Sequence, residues 1–263
     1  MFYKRISCFL IAIWLLMPAT IAQATVIADE SQMGSGVVSI NYELLKDVHY
    51  KVMVNKEGVS YSYDLTEDTI VPLQMGNGKY SIFILKQVSG NAYKMVKNEV
   101  FEAKLIGENN AYLQSMQLVN WNHDMEVIKK AKELTIDAKN DQEKIKAIYD
   151  YVVNNMTYDY QKFSGLSSDY IPCIEEISKA GKGICYDFAV LTAAMLRSVN
   201  VPTKLIMGYK KGMNQYHAWN QAYVEDIDEW ITIDTTLDSG RARYSDSNKI
   251  QKDSTLYTVS AEY

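Results

Sequence analysis

The spacing of apolar residues changes once along this chain, and the change divides it into two kinds of structure. Between residues 36 and 104 the apolar residues come in short runs rich in Val, Ile, Tyr and Phe, punctuated by Glu57-Gly58, Gly76-Asn77-Gly78 and Ser89-Gly90-Asn91. Tyr61 and Tyr63, then Tyr80, Ile82 and Ile84, alternate with polar neighbours, the mark of strands with one buried face. Strands are predicted over 36–43, 48–55, 59–64, 80–86, 92–96 and 98–104, enough for a small β-sandwich. After Asp124 the spacing becomes helical. Val127, Ala131, Leu134 and Ala138 share one face, and Ile145, Ile148, Tyr149 and Val152 share another behind a capping pair, Asn140 and Glu143. The expected class is therefore α+β, with a linker over 105–122.

The N-terminus reads as a segment to be removed. Lys4 and Arg5 precede an apolar run over 6–17, Pro18 breaks it, and Ala22-Gln23-Ala24 supplies small residues for cleavage. The run is too short to cross a bilayer, where about 20 residues are needed. The expected division is a signal peptide over 1–24, a β-sandwich domain over 25–108 and a catalytic domain over 109–263. Cleavage would leave no membrane span and imply a secreted or cell-surface protein. The net charge of −5, more negative once Lys4 and Arg5 are lost, leaves no basic stripe for nucleic acid.

The chemistry lies in the last third. The chain has three cysteines and three histidines, and Cys8 falls in the signal segment. Gly181-Lys182-Gly183 precedes a helix predicted from Cys185 to about residue 199, where Asn200 suits a left-handed cap and Pro202 forbids continuation. Cys185 therefore sits at a helix N-terminus, where unpaired N–H groups favour a thiolate and an oxyanion. Gly183 is expected to let substrate approach the backbone. Phe188, Leu191, Thr192 and Met195 mark the helix as core. Strands are predicted over 203–209, 217–224 and 230–234. If the last two form a hairpin with Val224 opposite Glu229, Trp219 lies opposite Asp234, and Asp234 is one diagonal step from His217. The Cβ atoms are then within about 7–8 Å. A loop longer by one residue would put the two side chains on opposite faces.

Cys185, His217 and Asp234 thus suit a nucleophile, its base and the base's orienter. Trp219 could shield the His217–Asp234 bond from water. Tyr158, Tyr160 and Tyr170, upstream of the nucleophile, are candidates for the second oxyanion donor. Cys173 offers a competing role for Cys185, a disulfide across a short loop. No close-spaced ligand pair supports a metal site, and no cofactor is expected. A short helix led by Pro172 is expected to run to about residue 179.

Gly181 to Leu237 resembles the catalytic core of the transglutaminase-like superfamily through GKGICYDFAVLTAAMLR, VPTKLIMGY, YHAWNQAYV and WITIDTT. The resemblance implies a papain-like α+β fold, an exported bacterial protein and a Cys185-His217-Asp234 triad. Asn200 stands where many members carry Gly, and Cys173 lies outside the family triad. The implied function is that of an exported cysteine hydrolase or acyltransferase acting on peptide or side-chain amides through a thioester. A protein or peptide substrate is implied, a cell-wall peptide among them. Hydrolysis of a protease-like kind is preferred over protein cross-linking. A non-catalytic binding module on the same scaffold is the competing class.

Overall fold

The computed structural model describes residues 27–167, 170–239 and 250–263; the expected signal segment and cleavage site lie outside them. The chain forms two compact units that divide between Gln117 and Leu118.

The first unit holds β1 (Ala28–Asp29), β2 (Val37–Ile40), β3 (Tyr50–Lys56), β4 (Val59–Asp64), β5 (Ile70–Pro72), β6 (Gly78–Ser89) and β7 (Ala92–Ala103). They form two antiparallel sheets, ordered β1-β2-β5 and β4-β3-β6-β7. One apolar cluster joins both, with Val38, Ile40 and Val71 from the first sheet and Val52, Tyr63, Ile82 and Ile84 from the second. This is the sandwich that the alternation predicts. Two of the predicted strands, 92–96 and 98–104, prove to be the single strand β7. Ile84 faces Lys97 while Leu85 faces Met95, so Val96 is an extra residue in the ladder. That bulge interrupts the alternation and accounts for the apparent break.

The expected linker is not a free tether. Ala111 and Tyr112 are buried in a 3-10 turn, and the Tyr112 hydroxyl donates to the Gln74 carbonyl at 3.1 Å. Gln117 accepts from the Asp64 amide at 3.0 Å and donates to its carbonyl at 3.1 Å. Residues 109–117 thus fold onto the first unit, and the division falls later than the expected 108/109.

The second unit begins with α1 (Glu126–Leu134) and α2 (Asp141–Asn155). Ala138, expected on the first helix, lies beyond its end. Asn140 caps α2 by accepting from the Glu143 amide at 2.9 Å, while Glu143 reaches the Lys139 amide. Next come β8 (Thr157–Tyr158), α3 (Tyr160–Gly165), α4 (Ile174–Ala180) and β9 (Lys182–Gly183), which pairs in parallel with β8. Pro172 precedes α4 rather than opening its first turn, and Cys173 is the N-cap residue.

Helix α5 (Cys185–Ser198) is buried almost all round, as expected of a helix enclosed by other elements. It packs on the antiparallel sheet β12-β11-β10-β13, made of β10 (Thr203–Lys210), β11 (Tyr216–Val224), β12 (Glu229–Ile233) and β13 (Tyr257–Glu262), with α6 (Thr235–Asp238) between the last two in sequence. Phe188, Leu191, Thr192 and Met195 are all buried. Each large apolar side chain so placed contributes about 1.5–3 kcal/mol. Polar bonds fix the helix against the sheet. Asn220 Nδ2 donates to the Ala189 carbonyl at 2.9 Å and the Lys204 carbonyl at 3.1 Å, and Arg197 donates to the carbonyls of Thr203 and Tyr263. Asn200 takes the left-handed conformation at φ 61° and ends the helix region as expected.

Strand β13 escapes the sequence reading. It lies so close to Gly208 that a Cβ there would stand 2.0 Å from the Thr258 carbonyl oxygen and 3.0 Å from the Trp219 ring. Only glycine fits at this bulge between Met207 and Gly208.

Candidate active site

Cys185 opens α5 and is half-buried. Its helix starts where β9 ends, so the thiol sits at the edge of the β8–β9 pair. Gly183 has a different reason from the one expected. A Cβ there would lie 2.6 Å from the Cβ of Asp187 and 2.7 Å from its Oδ2. Asp187, wholly buried, folds back over this position and accepts from the Ile184 amide at 2.8 Å. That bond satisfies one of the otherwise orphaned N–H groups of the first turn.

The hairpin adopts the expected register. Val224 faces Glu229 and Asn220 faces Ile233, a ladder that carries Trp219 opposite Asp234. Its four-residue tip is the 3-10 turn Glu225–Ile227 followed by Asp228 in the left-handed region at φ 54°. Asp141, at the start of α2, accepts from the Glu225 amide at 3.3 Å and ties the tip to the helix layer. His217 and Asp234 then share one face, and His217 Nε2 donates to Asp234 Oδ2 at 2.8 Å. Both are buried.

Burial alone would lower the His217 pKa. The hydrogen bonds to Asp234 and to Cys185 outweigh it and lift it to about 9. Since Nε2 is taken by Asp234, the nitrogen that meets the sulfur is Nδ1. The imidazole is thus held between thiol and carboxylate, and at neutral pH it carries the positive charge a thiolate needs beside it.

Asp234 is held by two more donors. It caps α6, accepting from the Leu237 amide at 3.3 Å on Oδ1, and the Tyr257 hydroxyl donates to Oδ2 at 3.1 Å. Tyr257, absent from the sequence reading, arrives on β13. Trp219 lies stacked on His217, ring centroids 6.1 Å apart, and against Tyr257 at 5.0 Å. It is fully buried.

The tyrosine candidates separate. Tyr158 lines the cleft with Cys185 and His217. Burial, and then the neighbouring Cys185, raises its phenol well above the usual range. Tyr160 lines the same cleft but is largely exposed. Tyr170 does not line it. Its hydroxyl donates to Asp187 Oδ1 at 2.5 Å, and Lys162 Nζ donates to Asp187 Oδ2 at 2.6 Å and to the Tyr170 oxygen. This Asp187-Lys162-Tyr170 cluster has no local signature, because its members come from α5, α3 and the segment before α4.

Cys173 and Cys185 are both free thiols, Cys173 exposed. Among the described residues no group of three His, Cys, Asp or Glu side chains is placed to hold a metal ion, and no helix is long and apolar enough to cross a membrane.

Residues 128–235 match the family model of the transglutaminase-like superfamily. Two curated proteins are similar in parts. The protein YebA of Bacillus subtilis is 25% identical over 123 residues, covering 40% of this chain and 17% of YebA. The UPF0252 protein MJ1282 of Methanocaldococcus jannaschii is 36% identical over 81 residues, covering 28% of this chain and 23% of that protein. This chain therefore matches less than a quarter of the length of either. Among solved structures, a candidate cysteine protease of Cytophaga hutchinsonii is similar over 86% of this chain and 75% of its own, at 17% identity and a TM-score of 0.48.

Proposed function

We propose, from the match of residues 128–235 to the family model of the transglutaminase-like superfamily, that this is an exported cysteine enzyme that hydrolyses amide bonds of peptides. The observation that carries the proposal is the placing of His217, bonded to Asp234 at 2.8 Å, beside Cys185 in one cleft, a line of thiol, imidazole and carboxylate. Such a line is the arrangement that nucleophilic catalysis by a thiol requires.

The Cys185 sulfur attacks the carbonyl carbon, and the carbonyl oxygen becomes an oxyanion. The Cys185 amide at the helix N-terminus and the Tyr158 hydroxyl are its donors. His217 then gives its Nδ1 proton to the amine nitrogen, the C–N bond breaks, and a thioester remains. Water attacks the thioester while His217 takes a proton from it. The C–S bond breaks, releasing the carboxylic acid and restoring the thiolate. Asp234 fixes the ring throughout, held by Leu237 and Tyr257.

The test is a peptide library incubated with the protein, with and without a primary amine, followed by mass spectrometry. Cleaved peptides with free carboxylates are expected. Amine adducts in place of acids would turn the proposal to transamidation, and no Cys185-dependent product would sink it in favour of a binding module. The rate should also fall on the alkaline side with a midpoint near pH 9. The His217 pKa is raised from 6.5 to about 9, so the imidazolium persists through neutral pH and is lost as pH rises through that value. By the same sign, the stability that this pairing adds is complete below about pH 6.5 and lost as pH rises through about 9.

A further inference from the structure

The cleft beside Cys185 encloses about 690 Å³, within the range of ligand-binding pockets. Its walls differ in chemistry from most of this acidic chain. One wall is aromatic: Tyr158 sits 4.8 Å from Tyr160 and 6.5 Å from Phe163, centroid to centroid. Met213, Tyr216 and Leu237 also line the cleft. Among the described residues that line the cleft there is no Asp, Glu, Lys or Arg, and the groups able to carry charge near neutral pH are the thiol and the imidazole themselves.

Helix α3 builds this wall in a telling way. Tyr160 and Phe163 line the cleft, yet they are 79% and 38% exposed. Between them in sequence, Lys162 is drawn off to the buried carboxylate of Asp187 at 2.6 Å. The cation of this helix is thus neutralised away from the cleft while its rings stand ready to be covered. Apolar surface exposed beside a reactive group is a feature of ligand sites. A substrate's side chain next to the scissile carbonyl branches one bond from the carbon that sulfur attacks, so it must lie within this same cleft.

Resting on the thiol chemistry proposed above, we propose that the cleft selects polypeptides by an aromatic or large aliphatic residue at the position whose carbonyl is attacked, seated against Tyr160 and Phe163. It rejects Asp, Glu, Lys and Arg there, because nothing in the described cleft wall would pair with their charge once water is displaced.

Four peptidyl chloromethyl ketones, alike except for Phe, Leu, Lys or Glu beside the reactive carbonyl, test this. In each, the thiolate of Cys185 displaces chloride and a thioether forms, so the readout is independent of whether water or an amine resolves a thioester. Alkylation followed by mass spectrometry should be at least about tenfold faster for Phe and Leu than for Lys and Glu, a difference of about 1.4 kcal/mol. The variant Phe163→Lys should narrow the Phe-to-Glu ratio by about fivefold or more. Equal rates for the four reagents, or faster reaction with a charged one, would overturn the selectivity. Iodoacetamide, too small to read the cleft, separates the two levels. If it labels Cys185 faster than the exposed Cys173 while the four reagents react alike, only the selectivity fails. If it labels Cys185 no faster than Cys173, the thiol chemistry beneath it fails.

Discussion

Replacing Cys185 by alanine is expected to lower peptide turnover by at least about 10³-fold, and His217→Asn by a similar factor. The two changes should be far from additive, because the thiol and the imidazole act as one unit. The helix N-terminus and the Tyr158 hydroxyl survive both changes, so substrate should still bind and KM should move little. The fold should survive too. Cys185 is only half-buried at the first residue of α5, and the fully buried apolar residues of that helix start at Phe188. Steady-state kinetics with thermal unfolding as a control checks this. A Cys185→Ala protein with undiminished turnover would place the chemistry elsewhere.

A large loss of stability outside the triad is expected at Asp187. It is fully buried and accepts from the Ile184 amide at 2.8 Å, Tyr170 at 2.5 Å and Lys162 at 2.6 Å. Asp187→Ala leaves the first-turn amide without an acceptor and removes the carboxylate that Lys162 meets. Removing one partner of a buried ion pair costs about 3–5 kcal/mol. The Lys162 side chain is 27% exposed and regains some hydration, which brings the expected cost to about 2–4 kcal/mol. Asp187→Asn keeps an acceptor for Ile184 and should cost roughly half as much. Urea unfolding measures both. The Ala variant should also raise KM more than it lowers kcat, because α3, which carries Tyr160 and Phe163, loses its tie to α5.

How the site could be read in the chain depends on where each residue's partners lie. The nucleophile helix is legible because its signals are local: Gly-x before Cys185, helical spacing behind it, Asn200 and Pro202 after it. The His217–Asp234 pair is legible because parity in a hairpin leaves only two choices, and Val224 opposite Glu229 selects the one that joins them. Tyr257 and the Asp187 cluster are not legible. Tyr257 is 23 residues beyond Asp234 and reaches it only because β13 adds to the far edge of β10. Lys162 is 25 residues before Asp187. Neither contact leaves a period or a spacing in the sequence. Gly183 shows a subtler limit. A glycine before the nucleophile is visible, but its cause, the Asp187 side chain folded over it, is a contact between side chain and backbone that only coordinates reveal. In the first unit, the bulge at Val96 disguises one strand as two for the same kind of reason.

The strand order of the second sheet also has a consequence for biosynthesis. Because β13 follows α6 in the chain but pairs with β10, Cys185, His217 and Asp234 leave the ribosome before the phenol that steadies Asp234. A nascent chain that has reached α6 already owns thiol, imidazole and carboxylate. It lacks Tyr257 behind the carboxylate and against Trp219, and its β10 edge is bare. On the mechanism proposed above, the carboxylate thus gains its phenol donor only once β13 has been made and has paired with β10.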